Sequence, residues 1–211
     1  MNRDHRPPEK ERNRTMGIRE LILQNRSYRG FDHSRKVTGE ELLEMVDCAR
    51  LSASSGNQQP LKYVLICTPE HVEAVQKTTR WAKALPEITL PHPGHEPTAF
   101  IVICQDRTIS DAPQTFLRDV GISAQSILLK AAEMGLGGCM IGSFLREELI
   151  RAALIPDHYD PMLVIAVGKP DEKVVLTEAA GSVKYYRDEA DVHYVPKRRL
   201  EDIVSGDVTV K

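Results

Sequence analysis

The chain has 211 residues, of which 41% are hydrophobic, and its formal net charge at pH 7 is -2. This length and composition fit one domain with a substantial core, and the weak negative charge provides no general basic field for nucleic acid. The apolar runs are far shorter than the roughly 20 residues that cross a bilayer, and the polar N-terminus lacks the pattern of a secretory signal. We therefore expect a cytoplasmic protein with neither a membrane nor a nucleic-acid partner.

The cysteines and histidines do not have the spacing of a metal site. Cys48, Cys67, Cys104 and Cys139 are far apart and have apolar neighbours, which is typical of buried, reduced thiols. His92 and His95 stand in a proline-rich stretch without further nearby ligands. The sequence therefore predicts no metal.

The first segment, residues 1–15, contains no large apolar residue except Met1. Such a segment cannot bury enough surface to offset the entropy of ordering it, so we expect a disordered extension. The predicted domain is then residues 16–211, and Met16 is a hypothetical alternative start.

The N-terminal half alternates helical and extended patterns. A helix is predicted after Met16, because Ile18, Leu21 and Ile22 have helical spacing. A second helix begins at Thr38, which forms a capping box with Glu41. Its apolar stripe consists of Leu42, Leu43, Val46 and Ala49. A strand at 61–67, a helix from Pro69 and a strand at 98–106 follow.

The C-terminal half begins with the longest predicted helix, residues 114–134, which is apolar around much of its circumference and ends at Gly135. A short strand at 137–142, a helix at 146–154 and a strand at 161–168 follow, and Gly168-Lys169-Pro170 is expected to end that strand. The alternation by itself suggests an α/β domain, but periodicity does not reveal whether the strands are parallel.

Two segments have little regular pattern. Residues 81–98 contain four prolines and begin with Trp81, and a loop of this length is often functional. We interpret part of it, residues 84–95, as a substrate lid. Residues 181–211 mix aromatic and charged side chains, so this tail is expected to pack on its own subunit or on another one.

Two segments in the first third of the chain have ligand-binding chemistry. Arg26-Ser27-Tyr28-Arg29 offers guanidinium groups that bind phosphate or a polarised carbonyl well; the alternative is a pair of solvated arginines. The loop 52–60 contains small residues, such as Ser54, together with Asn57 and Gln59, whose amide groups suit the edge of a heteroaromatic ring; the alternative is an ordinary polar loop.

Two further segments lie in the second half. Residues 135–143 are rich in glycine but follow a helix and lead into a strand, which excludes a dinucleotide-binding loop and leaves exposed backbone amides for a flat ligand. Lys197, Arg198 and Arg199 could form a phosphate grip, a nuclear-localisation-like patch or a solvated basic run.

The order and spacing of these segments resemble the nitroreductase-like family of FMN-dependent oxidoreductases. The shared features are Arg-Ser-x-Arg after the first helix, Ser-x-Ser-x-x-Asn-x-Gln-Pro after the second, Gly-Leu-Gly after a long central helix, and a C-terminal Pro-Lys-x-Arg-Leu. The resemblance runs from about Met16 to Val204.

The resemblance implies an α+β sandwich with a mostly antiparallel central sheet flanked by helices. It also implies an intertwined homodimer, joined through the long helix and a C-terminal arm, with two FMN sites at the interface. The FMN-binding residues that it implies are Arg26, Ser27, Tyr28, Arg29, Ser54, Asn57, Met140, Ile141, Gly142, Ser143, Lys197 and Arg199. The sequence departs from the family pattern at Asn25, Ala53 and Leu61, where many members have arginine, proline and tryptophan.

The activity implied by the resemblance is reduction of a small electrophilic acceptor, such as a nitroaromatic or a quinone, by NAD(P)H in a ping-pong reaction. FMN would perform the redox chemistry, so no side chain is assigned as catalytic. Alternatives are a flavin-binding redox sensor or electron carrier, and a nucleic-acid-binding module at Lys197–Arg199. The sequence contains no recognisable motif that distinguishes NADH from NADPH.

Overall fold

The computed structural model describes residues 16–206. The predicted N-terminal extension and residues 207–211 lie outside the described part. The helices are α1 (Ile18–Gln24), α2 (Gly39–Arg50), α3 (Pro69–Thr78), α4 (Pro113–Glu133) and α5 (Arg146–Ala152). The strands are β1 (Phe31–Asp32), β2 (Leu61–Ile66), β3 (Ala99–Asp106), β4 (Gly137–Ile141), β5 (Tyr159–Pro170), β6 (Val174–Glu178), β7 (Tyr186–Arg187) and β8 (His193–Lys197).

The central sheet has the strand order β1-β5-β3-β2, and β4 also pairs with β5. Each of these pairings is antiparallel. In the middle of the sheet, Val102 of β3 pairs with Val64 of β2 on one side and Val164 of β5 on the other. The α/β class suggested by the alternation alone is therefore wrong, and the α+β class implied by the resemblance is confirmed.

Helices cover both faces of this sheet, because successive strand residues point to opposite faces. On one face Ile101 and Ile165 pack with residues of α2 and α4, such as Leu42 and Ile127. On the other face Phe100 packs in a second cluster with residues of α3 and α5. Every residue of β3 is buried, which places this strand at the centre of the sandwich.

The strand β5 runs through Gly168 and Lys169 to Pro170 instead of ending there. A Cβ on Gly168 would lie 2.7 Å from the Phe31 ring. This glycine therefore serves the close approach of β1 to β5, so our prediction that it ends the strand was wrong. Strand β6 follows immediately and was not predicted.

The capping box at the start of α2 is confirmed: the Thr38 hydroxyl accepts from the Glu41 amide, and the Glu41 carboxylate accepts from the Thr38 amide. Leu43, expected in the buried stripe, is 60% exposed. Ile122 on α4 and Ile18 and Ile22 on α1 are also exposed. Helical spacing located these helices correctly, but it overestimated how much of each apolar face one chain buries.

The C-terminal segment forms a small second sheet in the order β6-β8-β7. Strand β8 is parallel to β6 and antiparallel to β7, and the rings of Tyr186 and Tyr194 stack with centroids 5.0 Å apart. Part of the aromatic tail therefore packs within its own chain.

In the described part of the chain, we find no helix that is long and apolar enough to cross a membrane.

All four cysteines are free, but only Cys104 and Cys139 are buried, whereas Cys48 and Cys67 are partly exposed. The prediction of buried thiols was therefore wrong for two of them.

His92 contacts Asp191 and His95 contacts Asp171. The described residues contain no group of three or more His, Cys, Asp or Glu side chains that could hold a metal ion.

Candidate functional site

A cavity of about 290 Å³ lies where the segment after α1 meets β4 and β8. It brings together five of the predicted ligand-binding residues, Arg26, Ser27, Arg29, Met140 and Lys197. The remaining wall is formed by Asn25, Gln125, Leu128, Tyr185, His193 and Val195. Three cationic side chains on one concave surface favour an anionic ligand.

Two glycines of β4 position the segment that contains the arginines. Ser27 forms a parallel bridge with Gly138, and the Tyr28 amide donates to the Gly138 carbonyl at 3.0 Å. A Cβ on Gly138 would overlap the Ala166 carbonyl oxygen, and one on Gly137 would lie 2.6 Å from the Tyr28 ring. These glycines therefore permit close packing of two segments, whereas we had expected their backbone to face a flat ligand.

Arg26 has hydrogen-bonding capacity that its own chain leaves unused. One terminal nitrogen donates to the Ile22 carbonyl, but the buried Nε has no partner among the described residues. Burial lowers the pKa of the Arg26 guanidinium, and the nearby Tyr28 partly offsets this shift. Because Nε is closed to solvent, it is the positive charge of Arg26 at the cavity wall that favours an anionic ligand there.

Tyr28 supports the site from behind. Its hydroxyl donates to the Gln24 carbonyl at 2.8 Å, its ring lies against the Gly137 backbone, and it does not line the cavity. Burial raises the pKa of the Tyr28 hydroxyl, while Arg26 acts in the opposite direction. The structure therefore gives this predicted binding residue a packing contact.

Arg29 is 8% exposed and is held on several sides. Its Nη1 donates to the Ser27 carbonyl and to Nε2 of His193, both at 3.1 Å. The guanidinium carbon lies 4.9 Å from the centre of the Tyr185 ring. Within residues 16–206, no hydrogen bond involves the Nε or Nη2 of Arg29, so these groups are free to meet a ligand.

The structure separates the two cations of the predicted C-terminal grip. Lys197, the last residue of β8, lines the cavity. Arg199 does not, and its Nε donates to the Glu178 carboxylate at 2.6 Å. That ion pair raises the pKa of the Arg199 guanidinium.

The four residues predicted around the end of β4 also separate. Met140 lines the cavity, whereas Ile141 is buried in the core on the other face of the sheet, as expected for neighbours in a strand. Gly142 is exposed, and the Ser143 carbonyl accepts from the Arg80 amide at 2.8 Å. Gly142 and Ser143 are thus close in sequence to the cavity wall without forming part of it.

The loop after α2 borders a different cavity of about 190 Å³. Ser54 lines it together with Ala53, Gln59, Leu61, Tyr63 and Asp119. Asn57 is exposed, and its side-chain oxygen accepts from Nε2 of Gln59 at 3.0 Å. The two cavities share no lining residue, so one chain does not bring this loop into the arginine-lined cavity.

Backbone geometry marks the same loop as unusual. Gly56, Asn57 and Gln59 have φ angles of 56°, 53° and 50°, in the left-handed region that residues other than glycine seldom adopt. Conformations of this kind cluster at active sites and ligand clamps, and the function of the loop stays a prediction.

Sequence reasoning missed two buried polar residues that organise the site. Asp119 of α4 is almost fully buried and accepts hydrogen bonds from the loop after α2. Its position one helical turn after the apolar Phe116, on the same face of α4, is the pattern that could have revealed it in the sequence. His193 is also buried and contacts Arg29, and no pattern in the sequence indicated it.

The comparison that decides the family is a match between the nitroreductase family model and residues 22–169. The chain belongs to the nitroreductase family. The matched region extends from within α1 to within β5 and includes both the arginine segment and the loop after α2. The C-terminal sheet of this nitroreductase-family protein, with His193 and Lys197, follows the matched region.

Named relatives agree with this placement. The chain is 27% identical over 164 residues to a putative NADH dehydrogenase/NAD(P)H nitroreductase of Archaeoglobus fulgidus, covering 75% of this chain and 88% of the relative. It is 28% identical over 172 residues to an FMN reductase (NADPH) of Bacillus subtilis, covering 72% of this chain and 65% of the relative.

Solved structures show the same fold. A nitroreductase family protein of Clostridium difficile superposes with a TM-score of 0.64 at 21% identity, covering 92% of this chain and all of the other. The NADPH:FMN oxidoreductase of Vibrio harveyi, complexed with NAD+, gives a TM-score of 0.61 at 20% identity, covering 91% of this chain and 77% of the other.

Proposed function

We propose that this protein is an FMN-dependent oxidoreductase that uses NADH or NADPH to reduce small electrophilic acceptors, such as nitroaromatics or quinones, in a ping-pong reaction. The observation that carries the proposal is the cavity in which Arg26, Ser27, Arg29, Met140 and Lys197 meet. FMN combines a phosphate dianion with a flat conjugated ring, and this cavity offers both cations and an apolar wall.

The residues of the cavity divide into two roles. Arg26 and Lys197 would bind the phosphate, since both are cationic and both line the cavity. Arg29 has free donors on a guanidinium that is otherwise held in place, so it would balance negative charge at the ring edge. Met140 would contact the ring.

When bound, FMN supplies two-electron redox chemistry between a nicotinamide and an acceptor. The chain would contribute binding, orientation and a positive field, and none of its side chains needs to act as a nucleophile or a general acid. The names of two relatives support this cofactor and donor: the Bacillus subtilis relative is an FMN reductase (NADPH), and the Vibrio harveyi protein is an NADPH:FMN oxidoreductase.

We also propose that the protein is a homodimer. Apolar side chains on α1 and α4 are exposed in a single chain, namely Ile18, Ile22, Leu23, Leu117 and Ile122. Because α1 and α4 contact each other, these exposed apolar side chains lie on two packed helices, an arrangement typical of protein interfaces. The loop with Ser54 and Asn57 borders its own cavity, so a site that uses both this loop and the arginine cavity would need two copies of the chain.

Residues 84–95 remain our proposed lid. Leu85 and Glu87 line a third cavity of about 500 Å³ together with Tyr185 and Tyr186, and Tyr185 also lines the arginine cavity. The loop therefore lies next to the proposed site. Deletion of residues 84–95 should change the KM for acceptors, and unchanged rates with every acceptor would reject the lid.

The test of the proposed activity is anaerobic mixing of the FMN-loaded protein with NADH and, separately, NADPH. We expect rapid loss of flavin absorbance with at least one donor, and parallel double-reciprocal lines when donor and acceptor are varied. A flavin that stays oxidised with both donors would reject the reductase and favour a flavin-binding sensor or electron carrier. Intersecting lines would reject the ping-pong order.

A further inference from the structure

His193, the first residue of β8, is 1% exposed and lies 3.1 Å from Nη1 of Arg29 through its Nε2. A guanidinium can only donate hydrogen bonds, so Nε2 must accept and the ring proton must be on Nδ1, a buried atom without a partner among the described residues. Burial, with smaller effects from Arg29 and Arg187, lowers the pKa of His193 to about 4, while Asp191 acts in the opposite direction. His193 is therefore a neutral acceptor for Arg29 at physiological pH.

Tyr185 contacts the same guanidinium from another side. The Arg29 guanidinium carbon lies 4.9 Å from the Tyr185 ring centre, and the rings of Tyr185 and His193 are 5.2 Å apart. An aromatic face attracts a cation at this distance. Arg29 is thus held by a hydrogen-bond acceptor and an aromatic ring, both from the C-terminal segment.

The backbone of Arg29 is fixed by a buried ion pair. The Glu172 carboxylate accepts from the Arg29 amide and also binds Arg187. The side chains of Glu172 and Arg187 are both almost fully buried. Arg187 also binds the Asp191 carboxylate at 2.9 Å, so residues from β7 and the segments around it brace Arg29.

We propose that His193 and Tyr185 are positioning residues for Arg29, holding its guanidinium so that Nε and Nη2 face a ligand in the cavity. The inference rests on the proposed function in one respect, which is that the ligand is FMN. It assigns the C-terminal sheet, beyond the region that the family model matches, a role in the strength of cofactor binding.

The test compares FMN binding by His193→Phe and His193→Gln, measured by quenching of FMN fluorescence in apoprotein. His193→Phe removes the acceptor, and we expect the Kd for FMN to rise about tenfold, as for loss of a hydrogen bond to a charged group. His193→Gln retains an acceptor, so the Kd should stay within about threefold of wild type. The matched control is His71→Phe, because His71 is exposed on α3.

A double-mutant cycle distinguishes positioning from general damage. If His193 acts through Arg29, the tenfold effect of His193→Phe should disappear in an Arg29→Met background. An equal effect in both backgrounds, or equal Kd values for the Phe and Gln variants, would overturn the proposal. If His193→Phe does not fold, Tyr185→Leu provides the same cycle with an expected effect of about threefold, and an effect that persists without Arg29 would overturn it.

Failure of the proposed function has a different signature. Wild-type protein that binds no FMN would reject the cofactor but leave the contact between His193 and Arg29 testable. In that case, the His193→Phe and Arg29→Met cycle is measured by urea unfolding. Non-additive free energies would support the contact, and additive ones would overturn it.

Discussion

Asp119, on the long central helix, accepts a hydrogen bond of 2.6 Å from the Ser54 hydroxyl. The same carboxylate accepts from the Ser55 amide at 2.9 Å, and the Ser54 hydroxyl in turn accepts from the Gln59 amide at 3.0 Å. A single buried acidic residue thus ties α4 to both ends of the loop in which Gly56 and Asn57 have left-handed backbone.

Replacing Asp119 with asparagine keeps the shape but removes the charge and introduces a donor that faces other donors. We predict a loss of about 1–3 kcal/mol in the free energy of unfolding, as for a disrupted buried hydrogen-bond network, measured by urea denaturation. The control is Asp111→Asn, since Asp111 is exposed just before α4. Equal stability of the two variants would show that Asp119 does not anchor the loop.

Gly138 is predicted to tolerate no side chain. A Cβ there would overlap the Ala166 carbonyl oxygen and lie 2.7 Å from Cδ2 of Leu128. Gly138→Ala should lower the unfolding free energy by about 1–3 kcal/mol through overpacking and should also weaken FMN binding, because Gly138 pairs with Ser27. Gly39→Ala is the control, since nothing lies within 4 Å of its Cβ position. A Gly138→Ala variant as stable as this control would contradict the packing.

Lys197 and Arg199 should differ in their effect on FMN binding, although the resemblance gives both the same role. Lys197 lines the cavity, while Arg199 is paired with Glu178. We predict that Lys197→Met raises the Kd for FMN about tenfold or more, whereas Arg199→Met changes it less than about threefold. The reverse order in a fluorescence titration would restore the role that the sequence predicts for Arg199.

His193 should make the protein less stable in mild acid. Its pKa in the folded state is about 4, compared with an ordinary value of 6.5. Between these values the unfolded chain binds a proton that the folded chain does not, so stability falls as the pH decreases from 6.5 to 4, by at most about 1.4 kcal/mol per pH unit. Above pH 6.5 this contribution is constant.

Urea unfolding at pH 7 and pH 4.5 measures this effect. Protonation of carboxylates whose pKa is lowered, such as Asp32 and Glu41, also makes the folded protein less stable in acid. The informative quantity is therefore the difference in pH dependence between wild type and His193→Gln. The wild type should lose more stability than the variant. Identical pH dependence in wild type and His193→Gln would contradict the prediction.

The four thiols should react at two distinct rates. Burial raises the pKa of Cys104 to about 12 and that of Cys139 to about 11, and a thiol that is both buried and protonated is inert. Cys48 and Cys67 are partly exposed. Iodoacetamide followed by peptide mass spectrometry should modify Cys48 and Cys67 in the native protein and all four cysteines after denaturation; early modification of Cys104 would contradict the packing.

The sequence predicts local structure well where apolar spacing is strong. The bounds of β2, β3 and α4 agree with the predicted segments to within a residue, and the capping box at Thr38 is a local interaction that the sequence specifies. Strand direction is not local, because the same apolar alternation suits parallel and antiparallel neighbours. This is why the alternation of helices and strands suggested the wrong class when read without the resemblance.

The site shows the same division between local and distant contacts. The arginine segment could be recognised from its residue types, but Arg29 and His193 are 164 residues apart in sequence, and their contact depends on how β8 joins the second sheet. The resemblance assigns Arg199 to the ligand, whereas the local pattern does not reveal that Arg199 pairs with Glu178, 21 residues away on that sheet. Gly168 resembles a strand end in the sequence, because the reason for a glycine inside β5 is its contact with the Phe31 ring, which is 137 positions away in sequence and visible only in the fold.

The most direct test of the central claim is a titration of the apoprotein with FMN, followed by fluorescence quenching and the absorbance spectrum. We predict saturable binding of one FMN per chain, with a shifted flavin spectrum and a Kd that rises in Lys197→Met. Protein that neither purifies with flavin nor binds added FMN would contradict the assignment of FMN as the cofactor. The cavity formed by Arg26, Arg29 and Lys197 would then serve another anionic ligand.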